Sequence, residues 1–296
     1  MRRLFFLTPD VVSCRHIITE LKESGVPQRH LHVIGSITQP LDDLPEASVL
    51  QKTELLHGIE IGAGLGALTI PLAHAVKKVY AVEKDQQLID LLKTQLLANQ
   101  IANYEIISDN VLQMDLHQFA ESAGPNLTVI GNLPYNISSQ IIIKLIQSRQ
   151  KFERGVFMLQ KELAQRIAAA PGGKQYGRIT ALLRYCADIR TLLVVKASSF
   201  YPPPKVDSAV VEIKFKPTSV YSVHDEALLF SVIKAAFGNR RKTLKNALAA
   251  SGLGIDSQTA LQALSAAGLD PTRRAETLEP DDFIALEIGL RKIMEK

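Results

Sequence analysis

Gly58-Ile59-Glu60-Ile61-Gly62-Ala63-Gly64-Leu65-Gly66 is the stretch that decides the fold. A short apolar run, Ile59 to Ile61, enters three glycines at alternate positions, and an apolar-periodic segment from Ala67 to Ala75 follows at once. Glycines at a strand–helix turn admit left-handed backbone and let the chain approach a ligand closely. Alone, G-x-G-x-G is weak, because many such turns carry glycine for packing only. The next strand, Lys78-Val79-Tyr80-Ala81-Val82-Glu83, sharpens it by ending on an acid about twenty residues further on. A carboxylate there is placed to accept hydrogen bonds from both ribose hydroxyls of a nucleoside. The competing reading of Glu83 is a solvated strand-end acid. Gly62, Gly64 and Glu83 are the candidate cofactor-binding residues of this first region.

Outward from that turn the chain alternates. A helix is expected over Gln86 to Gln100, a strand over Tyr104 to Ile107, another over Leu127 to Ile130, a helix over Ser138 to Gln147 and a strand over Gly155 to Leu159. That rhythm predicts a parallel, doubly wound sheet. Thr191 to Lys196 and Ser208 to Phe215 are further strand candidates on either side of a proline-rich turn. After Pro217 the strands cease, and helices are expected over Glu226 to Phe237, Lys242 to Ala250, Ser257 to Ala267 and Pro280 to Glu295. The fold class is α/β, with a doubly wound domain over residues 58–217 and a small all-helical domain over 218–296. Residues 1–57 form a short βαβ segment and linker, with strands over Arg3 to Leu7 and His30 to Ile34 and a helix over Val11 to Ser24.

Composition narrows the class without naming it. With 46% hydrophobic and 22% charged residues in 296, the chain is an ordinary globular protein, neither disordered nor collagen-like. A net charge of +4 permits a nucleic-acid partner without demanding one. Cys14 and Cys186 stand far apart with no CxxC, which excludes a disulfide framework or structural zinc. No metal is expected. No apolar run approaches ~18 residues, and Leu4 to Leu7 is too short for a signal-peptide core. The chain reads as cytoplasmic, with no membrane partner.

The choice of cofactor rests on Gly131-Asn132-Leu133-Pro134-Tyr135, at the end of the fourth strand. The exocyclic amine of adenine is a poor nucleophile because its lone pair is delocalised into the ring. An Asn side-chain carbonyl together with the backbone carbonyl of Leu133 or Pro134 can each accept one of its N–H groups, holding the lone pair toward a methyl donor. Pro134 fixes the turn and Tyr135 offers a ring to stack on the base. The bland alternative is a capped turn with Tyr135 in the core.

With these residues in place, EIGAGLGALTIPL, VYAVEKD, GNLPYNIS, FYPPPKVDSAVV and FGNRRKTLKNAL lie in order along residues 58–296. Together they resemble the bacterial small-subunit ribosomal RNA adenine dimethyltransferases. The resemblance implies a Rossmann-like methyltransferase domain using S-adenosyl-L-methionine (SAM), with Gly62 and Glu83 on the cofactor and Asn132 beside the reacting groups. It also implies an acceptor for the cofactor's adenine amine just after the third strand. An ungapped match puts Asn110 there, with Asp109 its neighbour, and both stay open. Phe200 is implied to stack on the target base opposite Tyr135, helping to offset extrusion of the base. Lys234, Arg240, Arg241, Lys242 and Lys245 carry a local +5, with no acid in residues 231–250. That stretch suits phosphate contacts from small-subunit rRNA in a pre-30S particle; Arg273 and Arg274 form a lesser pair. The implied reaction is double methylation of adenosine N6 by a monomeric enzyme. Two rivals stand beside it: an adenine methylase acting on large-subunit rRNA or DNA, and a non-catalytic ribosome-assembly protein.

The resemblance stops before residue 58. Members of that family open with a basic segment containing a QNFL-like element that covers the cofactor, and residues 1–57 carry none. They resemble instead the start of small bacterial proteins of unknown function, with a join near His57-Gly58. A foreign piece in place of the cofactor lid is therefore expected. The first core strand is also short on hydrophobic residues, with Leu55-Leu56-His57-Gly58 preceding Ile59.

Overall fold

The structure, a computed structural model, describes residues 11–23, 55–124, 127–200, 203–217, 223, 225–239 and 241–295. The strands expected over Arg3 to Leu7 and His30 to Ile34 lie outside them. Helix α1 (Val11–Glu23) stands where the sequence predicts it. The chain divides into two compact units, Met1–Met158 and Leu159–Lys296.

The first unit alternates strand and helix as β1 (Leu55–Ile61), α2 (Thr69–Ala75), β2 (Val76–Glu83), α3 (Gln86–Ala98), β3 (Tyr104–Ser108), α4 (Leu116–Ala123), β4 (Leu127–Asn132) and α5 (Ser138–Gln147). Strand β5 (Phe152–Gln160) closes it and runs two residues past the division. The strands are parallel in the order β3-β2-β1-β4-β5. Val79, Ala81, Leu92 and Leu96, at or near zero exposure, form the centre of a cluster joining β2 to α3. Such strands, covered on both faces, read as apolar runs, which is why Val79 to Val82 was legible. Strand β1 begins at Leu55. Its backbone pairs with β2 from Leu55 onward and with β4 from His57 onward, so ladder hydrogen bonds carry it through His57-Gly58. The unforeseen α4 is a short helix capped by Asp115, whose carboxylate accepts from His117 N and Gln118 N at 2.9 and 3.0 Å.

Strand order reverses between β1 and β4, so a crevice opens outside their carboxyl ends. Glu60 pairs with Ile130, which sets Ile61-Gly62 beside Gly131-Asn132. The approach is tight. A β-carbon on Gly131 would sit 2.8 Å from the Ile61 carbonyl oxygen, a backbone atom that cannot swing aside. Glycine at 131 is what lets the two strand ends lie together.

The second unit holds α6 (Lys161–Ile167), α7 (Arg178–Cys186), β6 (Ala187–Val195), β7 (Ser208–Phe215), α8 (Glu226–Gly238), α9 (Leu244–Ala249), α10 (Ser257–Ala266) and α11 (Pro280–Met294). Strands β6 and β7, the two candidates on either side of the proline-rich turn, are antiparallel. Residues 196–207 connect them. Helices α6 and α7 were also unforeseen. Aromatic rings tie α7 and its approach to the later helices. Tyr185 meets Phe230 edge-on at 6.1 Å, and Tyr176 stands 5.9 Å from Phe237, which stands 6.1 Å from Phe283. The Tyr176 hydroxyl donates to the Leu278 carbonyl at 2.9 Å; burial raises its pKa to about 12. Among the described residues no helix is long and apolar enough to cross a membrane.

Candidate active site

The glycine turn leaves β1 with φ of +78° at Gly62, +54° at Gly64 and +86° at Gly66, a region that disfavours side chains. Gly62 N donates to the Val82 carbonyl at 2.9 Å, so the turn is tied back to β2. Around Gly62 and Gly64, nothing lies within 4 Å of where a β-carbon would stand, leaving their backbone open to a ligand. Glu83, 8% exposed, closes the other side. Its Oε2 accepts from Gly64 N at 3.0 Å, and its Oε1 accepts from Lys84 N and Asp85 N at 2.8 and 3.0 Å. A carboxylate offers about four lone-pair sites. With three engaged by backbone, acceptor capacity remains on Oε2 for a ribose.

Glu60, inside β1, was missed. It is 2% exposed, and its Oε2 has no hydrogen-bond partner. Burial, chiefly, and the Glu83 carboxylate raise its pKa to about 8; the nearby Thr69 hydroxyl pulls the other way but stands outside hydrogen-bond geometry. The available signal was an acid between two isoleucines in a strand of the buried type.

The loop after β3 is fastened to the same region, Asp109 N donating to the Glu83 carbonyl at 3.1 Å. Asn110 Oδ1 accepts from Leu112 N at 3.1 Å, a local turn, while Asp109 Oδ1 accepts from Asn110 N at 2.6 Å. Each side chain keeps acceptor capacity, so geometry leaves both residues as candidates. Lys144 of α5 donates to the Leu112 carbonyl at 2.8 Å and holds this loop against the helix that follows the Asn132 turn. No motif in the sequence marked Lys144.

At the end of β4 the structure separates the two carbonyl candidates. Pro134 O accepts from Ile137 N, Ser138 N and Ser138 Oγ at 3.0 to 3.1 Å, which starts α5. Leu133 N donates to Met158 O at 3.2 Å, whereas the Leu133 carbonyl accepts nothing among the described residues. Asn132 is exposed and its side-chain amide makes no hydrogen bond among them. Tyr135 is 37% exposed, a large ring presented to solvent rather than packed in a core. The crevice thus places an idle side-chain amide and an idle carbonyl at successive positions, next to the open glycine turn.

In the second unit, Phe200 is half-buried at the end of a 3-10 turn over Ala197–Ser199. Of the basic stretch, Arg240 lies outside the described residues. Lys234, Arg241 and Lys242 are exposed and Lys245 is half-buried, none with an ion pair or side-chain hydrogen bond among them. Arg273 differs, since its guanidinium donates to the Thr277 carbonyl at 2.6 Å and pairs with Asp282 at 3.2 Å. It is occupied in holding the turn before α11.

These residues suit SAM. An open backbone turn can take its methionine end, Glu83 keeps acceptor capacity for its ribose, and Asp109 or Asn110 can accept its adenine amine. A family model described as ribosomal RNA adenine dimethylase matches residues 45–292. Its match begins upstream of the join expected near His57. A ribosomal RNA small subunit methyltransferase A from Desulforapulum autotrophicum is 45% identical over 232 residues, 78% of this chain and 81% of that protein. The protein of that name from Shouchella clausii is 41% identical over 80% of this chain and 81% of its own. A dimethyladenosine transferase from Plasmodium falciparum superposes with a TM-score of 0.66 at 27% identity, covering 80% of this chain and 90% of that one. The glycine turn, the acid ending β2 and the Asn132 turn at the switch point thus stand in a chain that belongs to the ribosomal RNA adenine dimethylase family.

Proposed function

We propose that this protein transfers methyl groups from SAM to N6 of adenosines in small-subunit rRNA, two to each base. The observation that carries the proposal is the pairing of idle acceptors, Asn132 Oδ1 and the Leu133 carbonyl, beside the open turn at Gly62 and Gly64. SAM, when bound, supplies an electrophilic methyl group. The chain's own residues supply orientation. Asn132 and Leu133 each accept one N–H of the target amine and turn its lone pair toward the cofactor side of the crevice. Tyr135 stacks on one face of the base and Phe200 on the other. A dedicated strong base is unnecessary, because the amine becomes acidic as its new bond forms and water can take the proton.

Arg240, Arg241, Lys242 and Lys245 make the phosphate contacts, and residues 218–296 act as the rRNA-binding part of the chain. The substrate is a pre-30S particle in the cytoplasm, met by a monomer. The test is to incubate the protein with SAM and undermethylated small subunits and measure N6,N6-dimethyladenosine by mass spectrometry. Its appearance supports the proposal. Binding of the particles with no methylation overturns it in favour of an assembly factor.

A further inference from the structure

The segment carrying Phe200 runs from Lys196 to Asp207, between β6 and β7, and its neck is closed by one side chain. Asp207 Oδ1 accepts from Ala197 N at 3.1 Å, across ten residues of chain. Its Oδ2 faces two ammonium groups, Lys196 Nζ at 3.3 Å and Lys161 Nζ at 3.5 Å. Its backbone carbonyl accepts from Lys161 N at 3.0 Å, which fixes the same point to the first residue of α6. The Ala197 amide, then Lys196, hold the carboxyl below its ordinary range, as expected for a carboxylate whose hydrogen bonds favour the charged form. Beyond the neck, Phe200 N donates to the Ala197 carbonyl at 3.2 Å. Ala197 therefore links the two: its N–H is held by Asp207 and its carbonyl holds Phe200.

We infer that Asp207 is a positioning residue that closes the neck of the Phe200 loop and sets the height of that ring for the target base. The inference rests on the proposed stacking role of Phe200. The two lysines contribute less than the amide. Lys196 is 69% exposed and Lys161 39%, so solvent screens both pairs, whereas a backbone N–H held by a carboxylate is a charge-assisted bond at a fixed place. The neck thus depends on the acceptor at Oδ1 more than on the charge, which Asp207→Asn separates from Asp207→Ala.

The test compares kcat and KM for methyl transfer to undermethylated small subunits in Phe200→Ala, Asp207→Ala, Asp207→Asn and the Phe200→Ala/Asp207→Ala double variant, with thermal melting as the folding control. Asp207→Ala is expected to lower kcat roughly tenfold with little change in KM, since a displaced ring misorients a base that still binds. Asp207→Asn, which keeps an acceptor for Ala197 N, is expected to retain kcat within about threefold. The double variant should fall no lower than the worse single variant, within about twofold, because both act through one ring. Should Asp207→Ala fail to fold, Ala197→Pro removes the same bond from the donor side. Pro suits the first position of a turn, and Lys196 already has the extended backbone that precedes it (φ −68°, ψ 146°). Full kcat in Asp207→Ala, or in Ala197→Pro, beside an impaired Phe200→Ala overturns the clamp alone. Additive losses in the double variant also overturn it. Full kcat in Phe200→Ala removes the stacking reading, and the clamp with it.

Discussion

Replacing Glu60 by glutamine keeps the shape of the side chain and removes its proton equilibrium, which isolates what the buried carboxyl does to the first unit. The group is 2% exposed, has one oxygen without a partner, and holds its proton up to about pH 8. A carboxyl whose folded pKa lies above its unfolded value gives stability that is fully present below the unfolded value, here 4.5, and is lost as pH climbs through about 8. Across that interval each pH unit removes about 1.4 kcal/mol, a ceiling of roughly 5 kcal/mol that relaxation of the site reduces. Between pH 5.5 and 7.5 the wild-type protein should therefore lose roughly 2–3 kcal/mol relative to Glu60→Gln. Amide hydrogen exchange read on peptides from β1 and β2, along a pH series corrected for intrinsic rates, follows opening of this unit without assuming that the whole chain unfolds at once. A wild-type-minus-variant difference that stays flat from pH 5.5 to 7.5 would refute the reasoning. Glu83→Gln should end the slope at a lower pH, since it removes the like charge that helps keep the proton on Glu60.

Three further outcomes are expected. Asn132→Ala should abolish methyl transfer while leaving SAM affinity within a few-fold, measured by single-turnover transfer and calorimetry, because Asn132 meets the amine only in the reacting complex. Glu83→Ala should weaken SAM by roughly 1–3 kcal/mol and also destabilise the first unit, since Gly64 N, Lys84 N and Asp85 N lose their acceptor together; unchanged values of both would reduce Glu83 to a strand-end acid. Arg241→Ala with Lys242→Ala should weaken binding to small subunits and lower the slope of log affinity against log salt by about 1–2. A slope equal to wild type would show that neither side chain faces phosphate.

The elements of the first unit were readable because each signal is local. Val79 to Val82 is a continuous apolar run between two caps, and three glycines in five residues serve little besides a turn that needs left-handed backbone. Strands β6 and β7 were readable as strands, but their antiparallel direction was not, because it depends on the connection between them rather than on either strand. Within the candidate site, side chains were legible and backbone groups were not. Asn132 and Tyr135 announce themselves by type, but Leu133 and Pro134 offer the same carbonyl, and only the three donors gathered on Pro134 O leave Leu133 as the idle one. Lys144 and Asp207 escaped notice for the matching reason, since each acts on the backbone of another segment, Leu112 O in one case and Ala197 N in the other. A main-chain partner leaves no mark on residue type, so the identity of either end cannot reveal the bond. The chemistry of this crevice is therefore written in its side chains, and its alignment in amides and carbonyls that any residue could have supplied.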